Sequence, residues 1–416
     1  MIRRTKARRA LLQGAFALSP FVACNVYDES LLAPHPDAST SSSGSLPDGR
    51  GVGYWSGTNE QGCPSVQRPT VADKPRPVQS TQPDQGPIVV ALRRIDLGTT
   101  NPYDGGPADT AWQTLGFDID GLCTGASKTC GTSDAPACAP LRGQIPIDGE
   151  YCRDNSFGNL ATTLTYASSL TSEFGFGTFD CALCSGALNF LVRIQGYNGQ
   201  AADDAIDVDF FPAVGLETPL PIDCSASIPD SACFRSFMPW NIDRKVVTGA
   251  NPGDSPSTLR ASAAFVRDGS IVLLLPDPFP IYFPGADPTI RAFPVTLHQG
   301  FITGKLARQP DDTWRVDDGM IGGSTLLTEV LSSLEQIGLC KGDTNYTVAK
   351  GVIENVADVL GSGKRDKNAP CDAVSVGIGF TAQQATLGKA VEAPVHDYCG
   401  APRADGGADS GPRDGG

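Results

Sequence analysis

The sequence predicts a mainly β (α+β) fold, an antiparallel β-sandwich-like domain that is cross-linked by disulfides and carries a late two-helix hairpin. Three observations predict it. Charged residues make up only 19% of the 416 residues, while glycine and proline number 47 and 33, which is typical of short strands joined by turns. Apolar and polar residues alternate over most of the central region. Thirteen cysteines are far more than an ordinary core uses.

The strands are predicted from apolar residues at every second position. Three predicted hairpins are, in chain order, 188–210 with its turn at Asn198-Gly199, 263–275 with its turn at Asp268-Gly269, and 295–306 with its turn at Gln299-Gly300. A further strand is predicted over 374–380. These segments supply enough antiparallel pairs for a sandwich whose inner faces are apolar.

Two amphipathic stripes predict the helical hairpin, over about 324–361. The first stripe covers 326–337, with Ser324 as the predicted N-cap and Gly338 as the stop. The second stripe covers 346–360 and follows a capping Asp343 or Thr344.

The cysteines predict a disulfide framework, because an even number remains after one near the amino terminus is set aside. Those assigned to disulfides are Cys123, Cys130, Cys138, Cys152, Cys181, Cys184, Cys224, Cys233, Cys340 and Cys371. Cys340 lies between the predicted helices and Cys371 just after them, so a disulfide between the two would fix the helical hairpin to the sheet. The Cys181-x-x-Cys184 pair precedes a predicted hairpin rather than a redox helix, which favours a structural role.

The amino terminus has the pattern of an export signal. Met1–Arg9 carries five positive charges and no acid, and Ala10–Ala23 is largely apolar but too short to span a membrane. Phe21-Val22-Ala23-Cys24 resembles a bacterial lipobox. The resemblance implies cleavage before Cys24 and lipidation of that cysteine, which would anchor the mature chain to a membrane. Asn25 favours the outer membrane or cell surface.

Composition then divides the chain into four parts. Residues 1–23 form the signal peptide, 24–85 a lipidated tether rich in Pro, Ser and Gly, 86–399 the disulfide-rich β domain, and 400–416 a Gly/Asp tail that we expect to be disordered. Removal of the signal changes the formal net charge from −14 to −19. This acidity excludes nucleic acid as a partner.

The strongest candidate site is acidic. Asp118-x-Asp120-Gly121 places two carboxylates before a glycine turn, and Asp148 and Asp154-Asn155 follow about thirty residues later, with cysteines between them. Carboxylate and amide oxygens on turns suit Ca²⁺, and the pattern is similar to the D-x-D-G calcium loops of extracellular β domains. The same residues are also ordinary turn formers. A second acidic group, Asp203 to Asp209, is a weaker calcium candidate.

No hydrolytic motif is present. The sequence lacks G-x-S-x-G and H-E-x-x-H, and we assign no catalytic residue. Together with the lipobox, segments such as GFDIDG, RDNSFG and GYNGQAADD resemble uncharacterised bacterial lipoproteins. We therefore expect a membrane-anchored extracytoplasmic lipoprotein, a non-enzymatic binding or envelope-associated module that calcium stabilises, with a surface glycan or protein as its partner. The alternative is an acid-based, carbohydrate-active hydrolase that uses the same carboxylates.

Overall fold

A computed structural model describes residues 55–77, 83–100, 108–127, 131–133, 136–143, 145–167, 176–187, 189–222, 232–283, 293–336, 339–393 and Cys399. These residues belong to one compact unit. The predicted signal peptide, the predicted lipidation site Cys24, the first part of the predicted tether and the tail lie outside the described residues, as do Cys130 and Cys224.

The fold is mainly β, as the alternating pattern predicts. The strands are β1 (Ser56–Thr58), β2 (Pro64–Val66), β3 (Ile88–Asp96), β4 (Gly125–Ser127), β5 (Gly131–Ser133), β6 (Cys138–Ala139), β7 (Asn189–Gln195), β8 (Asp207–Leu216), β9 (Pro239–Asp243), β10 (Ala263–Arg267), β11 (Ser270–Leu274), β12 (Phe279–Phe283), β13 (Phe293–Arg308), β14 (Trp314–Leu326), β15 (Asp366–Pro370), β16 (Ala373–Gln384) and β17 (Thr386–Val391). The helices of the described residues are α1 (Ser156–Ala167), α2 (Phe176–Ser185), α3 (Leu327–Gln336) and α4 (Thr344–Asn355).

One eleven-stranded sheet dominates the fold, in the order β10-β11-β13-β14-β16-β3-β7-β8-β9-β17, with β12 added beside β13. All its pairs are antiparallel except β9 with β17. The sheet curls, so that the edge strand β10 comes round to the segment before β8. Asp203 and Val266 exchange two backbone hydrogen bonds there, of 2.9 and 2.8 Å. The curl encloses the main core, in which side chains of β3, β7, β11 and β14 meet.

The structure confirms the two hairpins with local turns. β7 pairs with β8 and β10 with β11, both antiparallel. The third predicted hairpin is wrong, because 295–306 lies within the single strand β13. Gln299-Gly300 forms a bulge rather than a turn, with a shift of register between His298 and Phe301. The half of β13 before the bulge pairs with β12, and the half after it pairs with β11. The two halves therefore pair with other strands rather than with each other.

The late helical pair is present, with different ends. Ser324 does not cap α3, since it is a buried residue of β14 and its Cα pairs with that of His298. Helix α4 ends at Asn355, whereas the apolar stripe continues to Leu360. The last part of the stripe is not helical. There, Val359 forms an antiparallel bridge to Ala373 of the sheet.

Four disulfides join described residues: Cys123–Cys152, Cys138–Cys371, Cys184–Cys233 and Cys340–Cys399. Cys63 and Cys181 are disulfide-bonded as well. The expected Cys340–Cys371 pair is wrong, because the two-stranded pairing of β6 with β15 brings Cys138 beside Cys371. Cys184 bonds to Cys233, and Cys181 is disulfide-bonded as well. Both lie within α2, which directly precedes the β7–β8 hairpin.

The segment before residue 86 is partly built into the domain. Trp55 and Val66 are buried in a small core with Leu115, Phe117 and Phe301. Strand β2 thereby lies next to the Asp118 loop.

Candidate metal centre

Three of the predicted ligands converge. Asp118, Asp120 and Asp154 each offer a carboxylate oxygen, and these three oxygens lie within 4.8 Å of one another. Asp118 and Asp154 are buried and Asp120 is half-buried. A cation at this point would meet oxygen ligands from two segments that are about 35 residues apart in the chain.

Backbone pairing positions these side chains. Asp118 N–H donates to Val66 O at 2.7 Å, which joins the loop to the end of β2. Asp154 N–H donates to Phe117 O at 3.0 Å, which joins the second acidic segment to the first. The Cys123–Cys152 disulfide closes the same arrangement at its far end. The loop is therefore held on both sides before any ligand binds.

Each of the three carboxylates uses one oxygen to hold the loop. Asp154 Oδ2 accepts from the N–H of Ile119 and Asp120, at 2.7 and 3.2 Å. Asp118 Oδ1 accepts from Gly121 N–H at 2.7 Å, and Gly121 supplies the positive φ of 77° that this turn requires. Asp120 Oδ1 accepts from Leu122 N–H at 2.7 Å.

One carboxylate oxygen is left over in a buried position. Asp118 is only 5% exposed, and no donor among the described residues reaches its Oδ2 with good hydrogen-bond geometry. The side chains of Ser65 and Asn59 lie close enough to hydrogen-bond with the Asp118 carboxyl, and they lower its pKa. A buried acceptor without a donor or a cation costs about 1–3 kcal/mol. The three converging carboxylates, with this poorly bonded oxygen among them, point to a bound cation.

Burial and mutual repulsion raise the pKa values of four neighbouring acids, Asp118, Asp120, Asp148 and Asp154. Burial, partly opposed by hydrogen bonds, raises the pKa of Asp118 to about 6. Burial and the charges of Asp118 and Asp358 raise the pKa of Asp120 to about 7. The pKa values of Asp148 and Asp154 lie well above the usual range, first because of burial and then because of Asp120. Without a cation, the folded protein therefore holds protons here.

The other predicted ligands have different positions. Asp148 is electrostatically coupled to Asp120, but its Oδ2 accepts from Thr124 N–H at 2.5 Å. The side-chain amide of Asn155 has a structural role, because its Oδ1 accepts hydrogen bonds from the N–H groups of Gly158 and Gly377. Asn155 therefore begins helix α1 and ties it to β16, and it does not face the three carboxylates with a free oxygen.

Sequence reasoning missed the residues that surround the cluster. Asp358 adds a further negative charge, and Ser375 holds its carboxylate through both N–H and hydroxyl. At the rim, Arg365 forms an ion pair with Glu60 at 2.5 Å and lowers the pKa of Asp118 and Asp120 through its charge. No local motif marks these residues, because they come from segments remote in the chain.

The second acidic group is already neutralised. Asp209 is buried against Arg193, with Nη2 to Oδ2 at 2.6 Å, and Arg260 reaches its other oxygen at 3.0 Å. Asp203 accepts from the N–H of Asn198 and Ala205. Within the described residues, these carboxylates are not among the acids whose oxygens converge on one point.

His298 has partners that the sequence did not indicate. Its Nδ1 lies 2.7 Å from Asp277 Oδ1, and its Nε2 lies 3.0 Å from Glu329 Oε2. A catalytic histidine needs one ring nitrogen directed at a nucleophile or substrate. Here carboxylates occupy both, so the geometry is that of a link between α3 and the segment before β12.

No protein-family model matches this chain, and neither the curated proteins nor the solved structures contain a match. Within the described residues, no helix is both long enough and apolar enough to span a bilayer. The interpretation of the site therefore rests on its geometry and chemistry.

Proposed function

We propose that this protein is an extracytoplasmic lipoprotein whose β domain is a non-enzymatic binding module stabilised by a bound calcium ion. The convergence of Asp118, Asp120 and Asp154, with a buried Asp118 oxygen that no donor reaches in good geometry within the described residues, carries the proposal. The lipobox-like Cys24 supports anchoring to the outer membrane or cell surface, and a surface glycan or protein is the proposed partner.

The donor set favours calcium over other metals. All three candidate ligands are carboxylates, and the nearby Cys123 and Cys152 are consumed in a disulfide. Zinc prefers nitrogen and sulfur ligands, and Mg²⁺ demands a regular octahedron with several waters. Calcium accepts six to eight oxygens with loose geometry, which fits carboxylates on turns.

The hydrolase alternative is less well supported. Glycosidases place two carboxyl groups about 5–10 Å apart on opposite sides of a substrate cleft. The oxygens of Asp118, Asp120 and Asp154 instead lie within 4.8 Å of one another, and backbone N–H groups hold all three carboxylates. Such a cluster is better suited to holding a cation than to attacking a sugar from two sides.

Calcium is expected to raise the melting temperature. If the ion is present at about 100 times its Kd, it adds about 2.7 kcal/mol to the free energy of unfolding, which corresponds to roughly 5 °C. Thermal melting in EDTA and in excess CaCl₂ measures this difference. Asp154→Asn should abolish it, while the matched control Asp204→Asn, which removes an acid that pairs with Lys74 outside the cluster, should keep it. A melting temperature that calcium leaves unchanged in the unaltered protein would rule out the proposal.

The anchor has its own test. Cys24→Ala removes the thiol that lipidation requires, so the variant should move from the membrane fraction to the soluble fraction after cell lysis. Immunoblots of the two fractions measure the change. Retention of the variant in the membrane at the level of the unaltered protein would show that Cys24 is not the anchor.

A further inference from the structure

We infer that the calcium site has a neighbouring oxyanion subsite, a cleft beside Asp120 in which a ligand's carboxylate or phosphate group binds and completes the coordination of the metal. This inference rests on the proposed function, because the ion links the two sites. It adds a ligand class, which the acidic cluster alone does not define.

The cleft lies on the outer side of the cluster. Asp120, Arg68, Gln299, Ser324 and Lys364 line it, and its volume is about 330 Å³ including the solvent at its mouth. The cleft is partly open, and its sheltered space has room for about one water-sized group. A ligand would therefore insert one terminal group and leave the rest of its structure in solvent.

The charge of the lining selects an anion. Neither Arg68 nor Lys364 forms an ion pair with a carboxylate in the part of the chain that the structure describes, although the protein has 46 acidic residues. Arg68 Nη1 donates to Gln299 Oε1 at 2.6 Å, which fixes the guanidinium at the cleft. A fixed guanidinium and an ammonium group are the donors that carboxylates and phosphates prefer.

A buried hydroxyl gives independent support. Ser324 lines the cleft and is only 3% exposed, and its Oγ has no hydrogen-bond partner among the described residues. A buried polar group without a partner is unfavourable, and a ligand oxygen in the cleft would give this hydroxyl one. The bulge at Gln299-Gly300 lies directly across from it on β13.

The wall opposite Ser324 is also preformed. Gly363 has φ of 66°, and a Cβ there would lie 2.1 Å from Gln299 Nε2. This close approach brings the turn that carries Lys364 against Gln299. The cleft therefore has its shape before a ligand arrives.

Asp120 connects the proposed calcium site to this subsite, because it belongs to both. Its carboxylate lines the same cleft, so a second anion beside it would be repelled in the absence of a cation. A calcium ion held by Asp118, Asp120 and Asp154 offsets two of their negative charges and keeps coordination positions for outside oxygens. Arg68 and Lys364 then bind the same oxyanion from the other side.

The test uses titration calorimetry on the calcium-loaded full chain. The probes are glucuronate for a carboxylate source and glycerol 3-phosphate for a phosphate source, with glucose and glycerol as neutral controls. We expect at least one anion to bind and neither neutral compound to do so. The double variant Arg68→Gln/Lys364→Gln should weaken anion binding at least tenfold while the calcium affinity changes less than twofold. Lys245→Gln, an exposed cation outside the cleft, is the matched control.

The outcomes separate this inference from the function on which it rests. Calcium binding without binding of either anion overturns the subsite and leaves the metal site intact. Anion binding that persists unchanged in EDTA overturns the link through the metal. Absence of calcium binding itself overturns the proposed function, and the subsite with it.

Discussion

Without divalent cations, the protein should be less stable at pH 8 than at pH 5, and Asp118 alone should account for about 1.4 kcal/mol of the difference. Its pKa is about 6 in the folded state, against a usual value of 3.8. A carboxyl whose pKa is raised by folding stabilises the fold while it is protonated, so this contribution is present below about pH 4 and is lost as the pH rises through 6. One pKa unit corresponds to about 1.4 kcal/mol.

Urea unfolding in EDTA between pH 5 and 8 measures this effect. Asp118→Asn keeps the hydrogen bond from Gly121 and cannot ionise, so its stability should decline less with pH by about that amount. Asp204→Asn should behave like the unaltered protein. Saturating calcium should remove most of the decline, because the ion replaces the protons. If Asp118→Asn and the unaltered protein have the same pH dependence, the cluster does not hold protons.

Loss of the Cys138–Cys371 disulfide should cost about 4 kcal/mol of the free energy of unfolding. The two cysteines are 233 residues apart in the chain, and a long closed loop restricts the unfolded state strongly. The other disulfides shorten the effective loop, so the value falls below the figure for an open chain of that length. Both cysteines lie in the core beneath α3 and α4, with Val330 and Tyr346. Urea unfolding of Cys138→Ala/Cys371→Ala followed by circular dichroism measures the loss.

Cys123→Ala/Cys152→Ala is the informative comparison. This disulfide closes only 29 residues, so the loss of stability should be smaller, but it holds the two acidic segments together. Its removal should weaken calcium binding as well. A Cys138→Ala/Cys371→Ala variant that loses less than 1 kcal/mol would show that this disulfide does not hold the helical pair to the sheet.

Patterns that depend on near neighbours were predictable from the sequence. The turn at Asp268-Gly269 and the alternation on both sides of it define β10 and β11 without reference to the rest of the chain. Gln299-Gly300 has the same local pattern but became a bulge, because β11 and β12 each pair with one half of β13. The strands that pair with β13 determine whether Gln299-Gly300 forms a turn or a bulge, and a local sequence pattern does not identify those strands.

The residues of the candidate site also fall into two groups, those that a local sequence pattern predicted and those that it did not. Asp118 and Asp120 belong to one motif, and Asp154 was found because cysteines between the segments indicated that the chain folds back. Arg365 and Asp358 come from more than 200 residues away, where nothing local distinguishes them from surface charges. The role of Asn155 in beginning α1 was hidden for a related reason, since its amide fits a ligand, a turn or a helix cap equally well.

Direct calcium binding tests the central claim most simply. Titration calorimetry of the metal-free protein with CaCl₂ at pH 7.5 should show one ion per chain, with at least tenfold weaker binding by Asp154→Asn and unchanged binding by Asp204→Asn. The absence of binding at 10 mM calcium, or equal affinity in Asp154→Asn and the unaltered protein, would contradict the assignment of Asp118, Asp120 and Asp154 as the metal ligands.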